Sequence, residues 1–212
     1  MTGIVHVSPW DVVSRLSKLQ LTREELIDIV KACVAAQAGC TDNDPPNARG
    51  FESWRWGVRR AREILRQKGW EKDDSNGFCT IVNHDLKIRI ALMNADAGTG
   101  LPDRVPQNIA RKGSNSERCA TANRSLWLPG FEVHADEYAS MDGYTTWHLC
   151  VYIDAITARA ELSMLNEFTN GFFTDYFEKI IVLGEGDWDK VDFGDVPEDD
   201  GGPEFEIEVT RK

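Results

Sequence analysis

The sequence predicts an α+β protein: a helical N-terminal third packed on a mostly antiparallel β-sheet, followed by an acidic C-terminal region. Three observations carry this. Apolar residues recur every three to four positions between residues 8 and 70. From residue 77 the apolar period switches to two, in short runs separated by turn residues. Acids then crowd into 185–208, where eleven Asp and Glu stand against the single base Lys190. Helices followed by strands is the order of an α+β chain rather than of alternating βαβ units. The expected organisation is one domain over 1–184, helical over 8–70 and sheet-rich over 77–184, with 185–212 as an acidic segment ending in a strand.

Each element has its own signal. Ser8 can cap a first helix, with Pro9 at its first position and Asp11 near its positive end. Val12, Val13, Leu16 and Leu19 fall on one side of it. Thr22-Arg-Glu-Glu25 is a capping box for a second helix, striped by Leu26, Ile29, Val30, Cys33 and Val34 and stopped near Gly39. Residues 40–50 read as a loop. A third helix over 51–68 carries an apolar stripe, Trp54, Val58, Ala61 and Leu65, beside an arginine stripe, Arg55, Arg59, Arg62 and Arg66. Strands are expected at 78–82 and 86–92, joined by a turn that contains His84. Residues 94–146 read as a long irregular segment, which in a compact domain is functional or hides short elements. The nearly continuous apolar run 147–153 fits a central strand. Residues 157–163 pair back on it through Asp154-Ala-Ile, 177–183 add another strand, and 204–209 alternate as a last one.

Composition bounds the class. The chain has 212 residues, 42% hydrophobic and 28% charged, which suits one globular domain. No apolar run reaches the roughly 18 residues of a spanning helix, and MTGIVHVSPWDVV has neither basic n-region nor long apolar h-region. Neither a membrane partner nor a signal peptide is expected. Five cysteines, an odd number without a CxxC, suit a reducing cytoplasm. Cys33 and Cys150 read as buried, Cys40 and Cys119 as exposed thiols. The net charge of −11 is concentrated at the C-terminal end, so the body is nearly neutral.

Several constellations carry chemistry. The segment 51–68 holds six bases against Glu52 and Glu63, and its Arg55, Arg59, Arg62 and Arg66, flanked by Trp54 and Trp56, suit a nucleic-acid backbone. The segment 98–124 is also basic. Its Arg111-Lys112-Gly-Ser-Asn-Ser116, with Arg118, has the composition of an anion-binding nest, although it is neither a P-loop nor a dinucleotide fingerprint. A divalent-metal-dependent nuclease would need an acid at a strand end and an acid-x-Lys on the next strand. Asp96 or Asp154 with Glu161 fits in part, but Ser163 stands where that pattern has Lys. His134-Ala-Asp136-Glu137 is read as surface loop, and His148 as a satisfied core histidine. Asp187, Asp189, Asp192, Asp195, Glu204, Glu206 and Glu208 form a surface able to imitate a phosphate backbone toward a partner, or to cover the arginine stripe.

The composition resembles that of small accessory proteins of bacterial mobile elements and phage. The arginine stripe on one helix and the acidic C-terminal region, without a convincing catalytic set, make the leading expectation a cytoplasmic, non-catalytic interaction protein. Its partner would be a protein of nucleic-acid metabolism or defence, or nucleic acid itself. A metal-dependent nuclease and a nucleotide-binding protein are the alternatives. No cofactor or metal is expected, except magnesium or manganese under the nuclease reading.

Overall fold

A computed structural model describes residues 3–127 and 143–192. Among the described residues, four helices and a seven-stranded mixed sheet form an α+β fold. The chain runs β1 (Ile4–His6), α1 (Pro9–Lys18), α2 (Arg23–Ala38), α3 (Ala48–Arg66), β2 (Glu71–Asp73), β3 (Thr80–Asn83), β4 (Ile88–Asn94), α4 (Ser114–Trp127), β5 (Thr145–Ile153), β6 (Ala158–Thr169) and β7 (Phe172–Leu183). The sheet order is β1-β7-β6-β5-β4-β3-β2, with β1·β7 and β4·β5 parallel and the other pairs antiparallel. The apolar run 147–153 is the fourth strand of seven, the central position its composition requires.

Local signals explain the helix starts. Asp11 N–H donates to Ser8 Oγ at 3.3 Å, and Pro9 begins α1. The capping box of α2 is complete: Glu25 N–H donates to Thr22 Oγ1 at 3.1 Å and Thr22 N–H to Glu25 Oε2 at 2.8 Å. Helix α3 starts three residues earlier than the sequence pattern suggests, because Pro45-Pro46-Asn47 turns directly into it. Helices α1–α3 cover one sheet face, where Val12, Leu16, Leu26, Ile29 and Leu65 meet Ile90, Leu92, Trp147, Leu149, Leu162 and Ile180. Helix α4 lies on β5 and β6 across the other face, over a smaller core of Met93, Ala120, Cys150, Leu165 and Phe173.

Ala61 and Leu65 are buried as expected, but in the first half of α3 the buried side is turned by one position from the expected stripe. Ser53, Gly57, Ala61 and Leu65 are buried, while Trp54 and Val58 are only partly covered. Gly57 is the reason: a Cβ there would lie 2.5 Å from Cys33 Sγ and 2.6 Å from Leu92 Cδ1. The missing side chain lets α3 approach both α2 and the sheet. Gly57→Ala is therefore expected to destabilise the fold by about 1–3 kcal/mol through overpacking, outweighing the roughly 1 kcal/mol that alanine gains in a helix. Urea denaturation checks it; a more stable variant would mean that the contact yields freely.

The segment read as irregular holds two ordered pieces. Residues 96–107 form a loop closed on itself, with Asp96 N–H donating to Gln107 O at 2.9 Å and Gln107 N–H to Asp96 Oδ1 at 3.1 Å. Helix α4 follows at Ser114. Periodicity missed α4 because its buried side is made of small and polar residues, Ser116, Cys119, Ala120 and Asn123. Cys119, expected to be exposed, is fully buried there, and burial raises its thiol pKa to about 11. The expected strand at 204–209 lies outside the described residues.

Candidate functional site

Helix α3 presents Arg55, Arg59 and Arg66 to solvent, while Arg62 is mostly covered and donates to Thr80 O at the sheet edge at 3.3 Å. Arg55 and Arg59 both lie over the Trp56 ring, with guanidinium carbons 5.0 and 4.7 Å from its centroid. Trp56 remains 36% exposed. Arg59, Arg62 and Arg66 line a groove of about 560 Å³ together with Glu63 and Gln67. Local acids hold most of these arginines: Arg55 pairs with Glu52, Arg59 with Glu63, and Arg62 with Asp74. Arg60 bridges Asp28 and Glu63. Arg66 is exposed and has no acidic partner among the described residues.

The described start of the acidic segment, residues 185–192, docks elsewhere. Asp187 accepts from Gly184 N–H at 3.1 Å and pairs with Arg23 of α2 at 3.4 Å. Lys31 of α2 donates to the Asp192 carbonyl, and Trp188 and Val191 pack against the main core. The described start of the segment thus runs along α2, not along the arginine stripe. Asp189 lies within this stretch, on a short 3₁₀ turn. Asp195, Glu204, Glu206 and Glu208 lie outside the described residues, as does His134-Ala-Asp136-Glu137.

The acids of the nuclease reading have distinct surroundings. Asp154 caps the β5–β6 turn, accepting from Ile156 and Thr157 N–H at 2.9 Å each, and these bonds hold its carboxyl below the usual range. Asp96 closes the 96–107 loop. Glu161 is completely buried on the α4 side of the sheet. Its carboxylate accepts from Gly100 N–H at 2.7 Å and from Ser163 Oγ at 2.6 Å. The lysine absent at position 163 is present in space: Ser163 faces Lys179 across the β6–β7 pair, and Lys179 Nζ is 3.8 Å from Glu161 Oε2. Lys179 also donates to Leu101 O at 2.7 Å and to Arg104 O. Burial outweighs the attraction in this pair, raising the Glu161 pKa and lowering that of Lys179. Together the two side chains pin the 96–107 loop to the sheet. Gly100 allows the close approach, with φ at +75° and Leu183 O 2.6 Å from where a Cβ would stand.

The 111–118 segment is held by its backbone. Arg111 Nε donates to Asn170 O at 3.1 Å, Lys112 N–H to Gly171 O at 3.0 Å and Ser116 N–H to Gly113 O at 3.1 Å. Two backbone N–H groups of this segment, those of Lys112 and Ser116, are therefore spent on the protein itself. Lys112 is driven below its usual pKa by burial. Arg118 sits half-buried on α4. His148 is buried as expected, between Phe173 at 4.7 Å and Phe78 at 6.5 Å, but neither ring nitrogen has a hydrogen-bond partner among the described residues.

A further cluster stands at the β2 end of the sheet. Glu71, Lys72, Asp73, Val82, His84, Arg89 and Tyr144 line a cleft of about 380 Å³. The register Glu71↔Val82↔Arg89 places these three on one face. Lys179 was legible only as a charge inside the apolar run 177–183. Tyr144 and His84 lie 60 residues apart, with no motif joining them. No protein-family model, curated protein or solved structure matches this chain.

Proposed function

We propose that this chain is a nucleic-acid-associated binding protein whose contact surface is the arginine–tryptophan face of α3. The observation that carries the reading is the exposed Trp56 with Arg55 and Arg59 over its ring, continuous with the groove of Arg59, Arg62 and Arg66. Stacked guanidinium and indole planes suit bases, and guanidinium forks suit phosphates. From Arg55 to Arg66 the stripe runs about 16 Å at 1.5 Å per residue, roughly five nucleotide steps of about 3.4 Å. Glu52 and Glu63, which hold Arg55 and Arg59, are partly exposed, and pairs at the surface contribute only about 0–1 kcal/mol. Phosphates can displace them. The five free thiols suit a reducing compartment.

Anisotropy of labelled single-stranded and duplex oligonucleotides, titrated across salt, tests this. Arg59→Glu/Arg66→Glu is expected to weaken binding at least tenfold at 50 mM salt and to reduce the salt slope by about 1.4–1.8, at about 0.7–0.9 per lost phosphate contact. Affinity and slope equal to those of the unaltered protein would remove α3 as the surface.

A further inference from the structure

The cleft beside β2 holds an arrangement that the α3 surface does not explain. Tyr144 Oη is 2.7 Å from His84 Nδ1, and the two rings meet edge to face at 5.8 Å. His84 Nε2 is 3.4 Å from Glu71 Oε2. Lys87 Nζ donates to Tyr144 Oη at 3.3 Å. Arg89 lies under the Tyr144 ring, 5.1 Å from its centroid, and its buried Nε has no hydrogen-bond partner among the described residues. A hydroxyl, an imidazole within hydrogen-bond reach and a carboxylate behind the imidazole make a nucleophile, its base and the group that orients the base. A lysine at the hydroxyl and an arginine under the ring suit an anionic electrophile.

We propose that Tyr144 is the nucleophile of a phosphodiester-transfer site, with His84 as general base, Glu71 as its positioning residue, and Lys87 and Arg89 as the groups that hold the phosphate. The proposal rests on the nucleic-acid reading above and adds a reaction to it. Glu71, 3.4 Å from Nε2, favours the tautomer with its proton there, which leaves the Nδ1 lone pair for the phenol proton. As that proton passes to His84, the bond from Tyr144 Oη to phosphorus forms and the bond from phosphorus to a sugar oxygen breaks. The proton on His84 then goes to the departing oxygen. The product is a phosphotyrosyl link and a free nucleic-acid hydroxyl; no metal, oxidant or other co-reactant enters the balance. The freed hydroxyl can attack in return and restore the strand. Arg62, which lines the α3 groove, pairs with Asp74 just after β2. A strand lying along α3 can therefore turn around the β2 edge into the cleft.

The test uses the full chain and random-sequence oligonucleotides, single-stranded and duplex, carrying one bridging phosphorothiolate in either polarity. The expelled thiol cannot return, so the adduct accumulates and is read as labelled, detergent-resistant protein, with EDTA present. The expected result is an adduct in the unaltered protein, absent in Tyr144→Phe and formed at least 100-fold more slowly in His84→Gln, while anisotropy shows that both variants still bind. Binding without any adduct overturns this site and leaves the α3 reading standing. An adduct that persists in Tyr144→Phe assigns another nucleophile and overturns it as well. Neither binding nor adduct overturns both readings.

Discussion

Lys179→Met is expected to destabilise the protein by about 3–5 kcal/mol, a large part of the roughly 5–15 kcal/mol that holds a domain together. The cost arises less from the lost attraction than from what remains. Glu161 would stay completely buried with its counter-charge gone, and a lone buried carboxylate must protonate or draw in water. Lys179 also donates to Leu101 O and Arg104 O, so both carbonyls lose a donor when it is removed. Glu161→Gln/Lys179→Met removes both charges and keeps an amide able to serve Ser163 and Gly100. It is expected to recover 1 kcal/mol or more relative to Lys179→Met alone, since removing both partners of a buried pair costs less than removing one. Guanidinium denaturation of the two single variants and the double gives the coupling directly. Strictly additive losses would show that Glu161 and Lys179 act independently, and that the loop is held by other contacts.

What the sequence revealed and concealed follows from the range of the interactions. The caps at Ser8 and Thr22 and the central run 147–153 were legible because each is a property of neighbours along the chain. The rotation of α3 was not, because it depends on Cys33 and Leu92 meeting Gly57 in space. Helix α4 escaped because serine, asparagine and alanine give no apolar period, although these small residues fit close against β5 and β6. Site residues divide the same way. Arg55, Arg59, Arg62 and Arg66 share one helix face and could be read from spacing alone. The Glu161–Lys179 pair and the cluster of Glu71, His84 and Tyr144 are made by strand pairing, which brings together residues that no local pattern connects. The acidic segment adds a third case. Its composition suggested a mate for the arginine stripe, but in its described start, 185–192, Trp188 and Val191 are apolar anchors on the main core and the chain lies along α2, while residues 193–208 lie outside the described residues.

His148 makes acid sensitivity the second large expected effect. Its pKa is lowered to about 3, first because burial disfavours the imidazolium and then because Lys112 repels it. In the unfolded chain a histidine titrates near 6.5. Between these two values the unfolded state holds a proton that the folded state excludes, so lowering the pH favours unfolding. The stability in question is whole above about pH 6.5 and drains away as the pH falls toward 3. At pH 5 the loss is about 2 kcal/mol, since each unit below 6.5 is worth roughly 1.4 kcal/mol. His148→Leu keeps the contacts with Phe78 and Phe173, and it removes both the proton and two ring nitrogens that have no hydrogen-bond partner among the described residues. At pH 7 the variant is expected to be at least as stable as the unaltered protein, because no hydrogen bond seen among those residues is lost. Between pH 7 and 5 it should lose about 2 kcal/mol less. Urea midpoints and slopes at both pH values measure the difference, with the exposed carboxylates common to the two proteins cancelling. Equal losses would mean that His148 takes up its proton in the folded state near the ordinary pH, through water reaching its ring between Phe78 and Phe173.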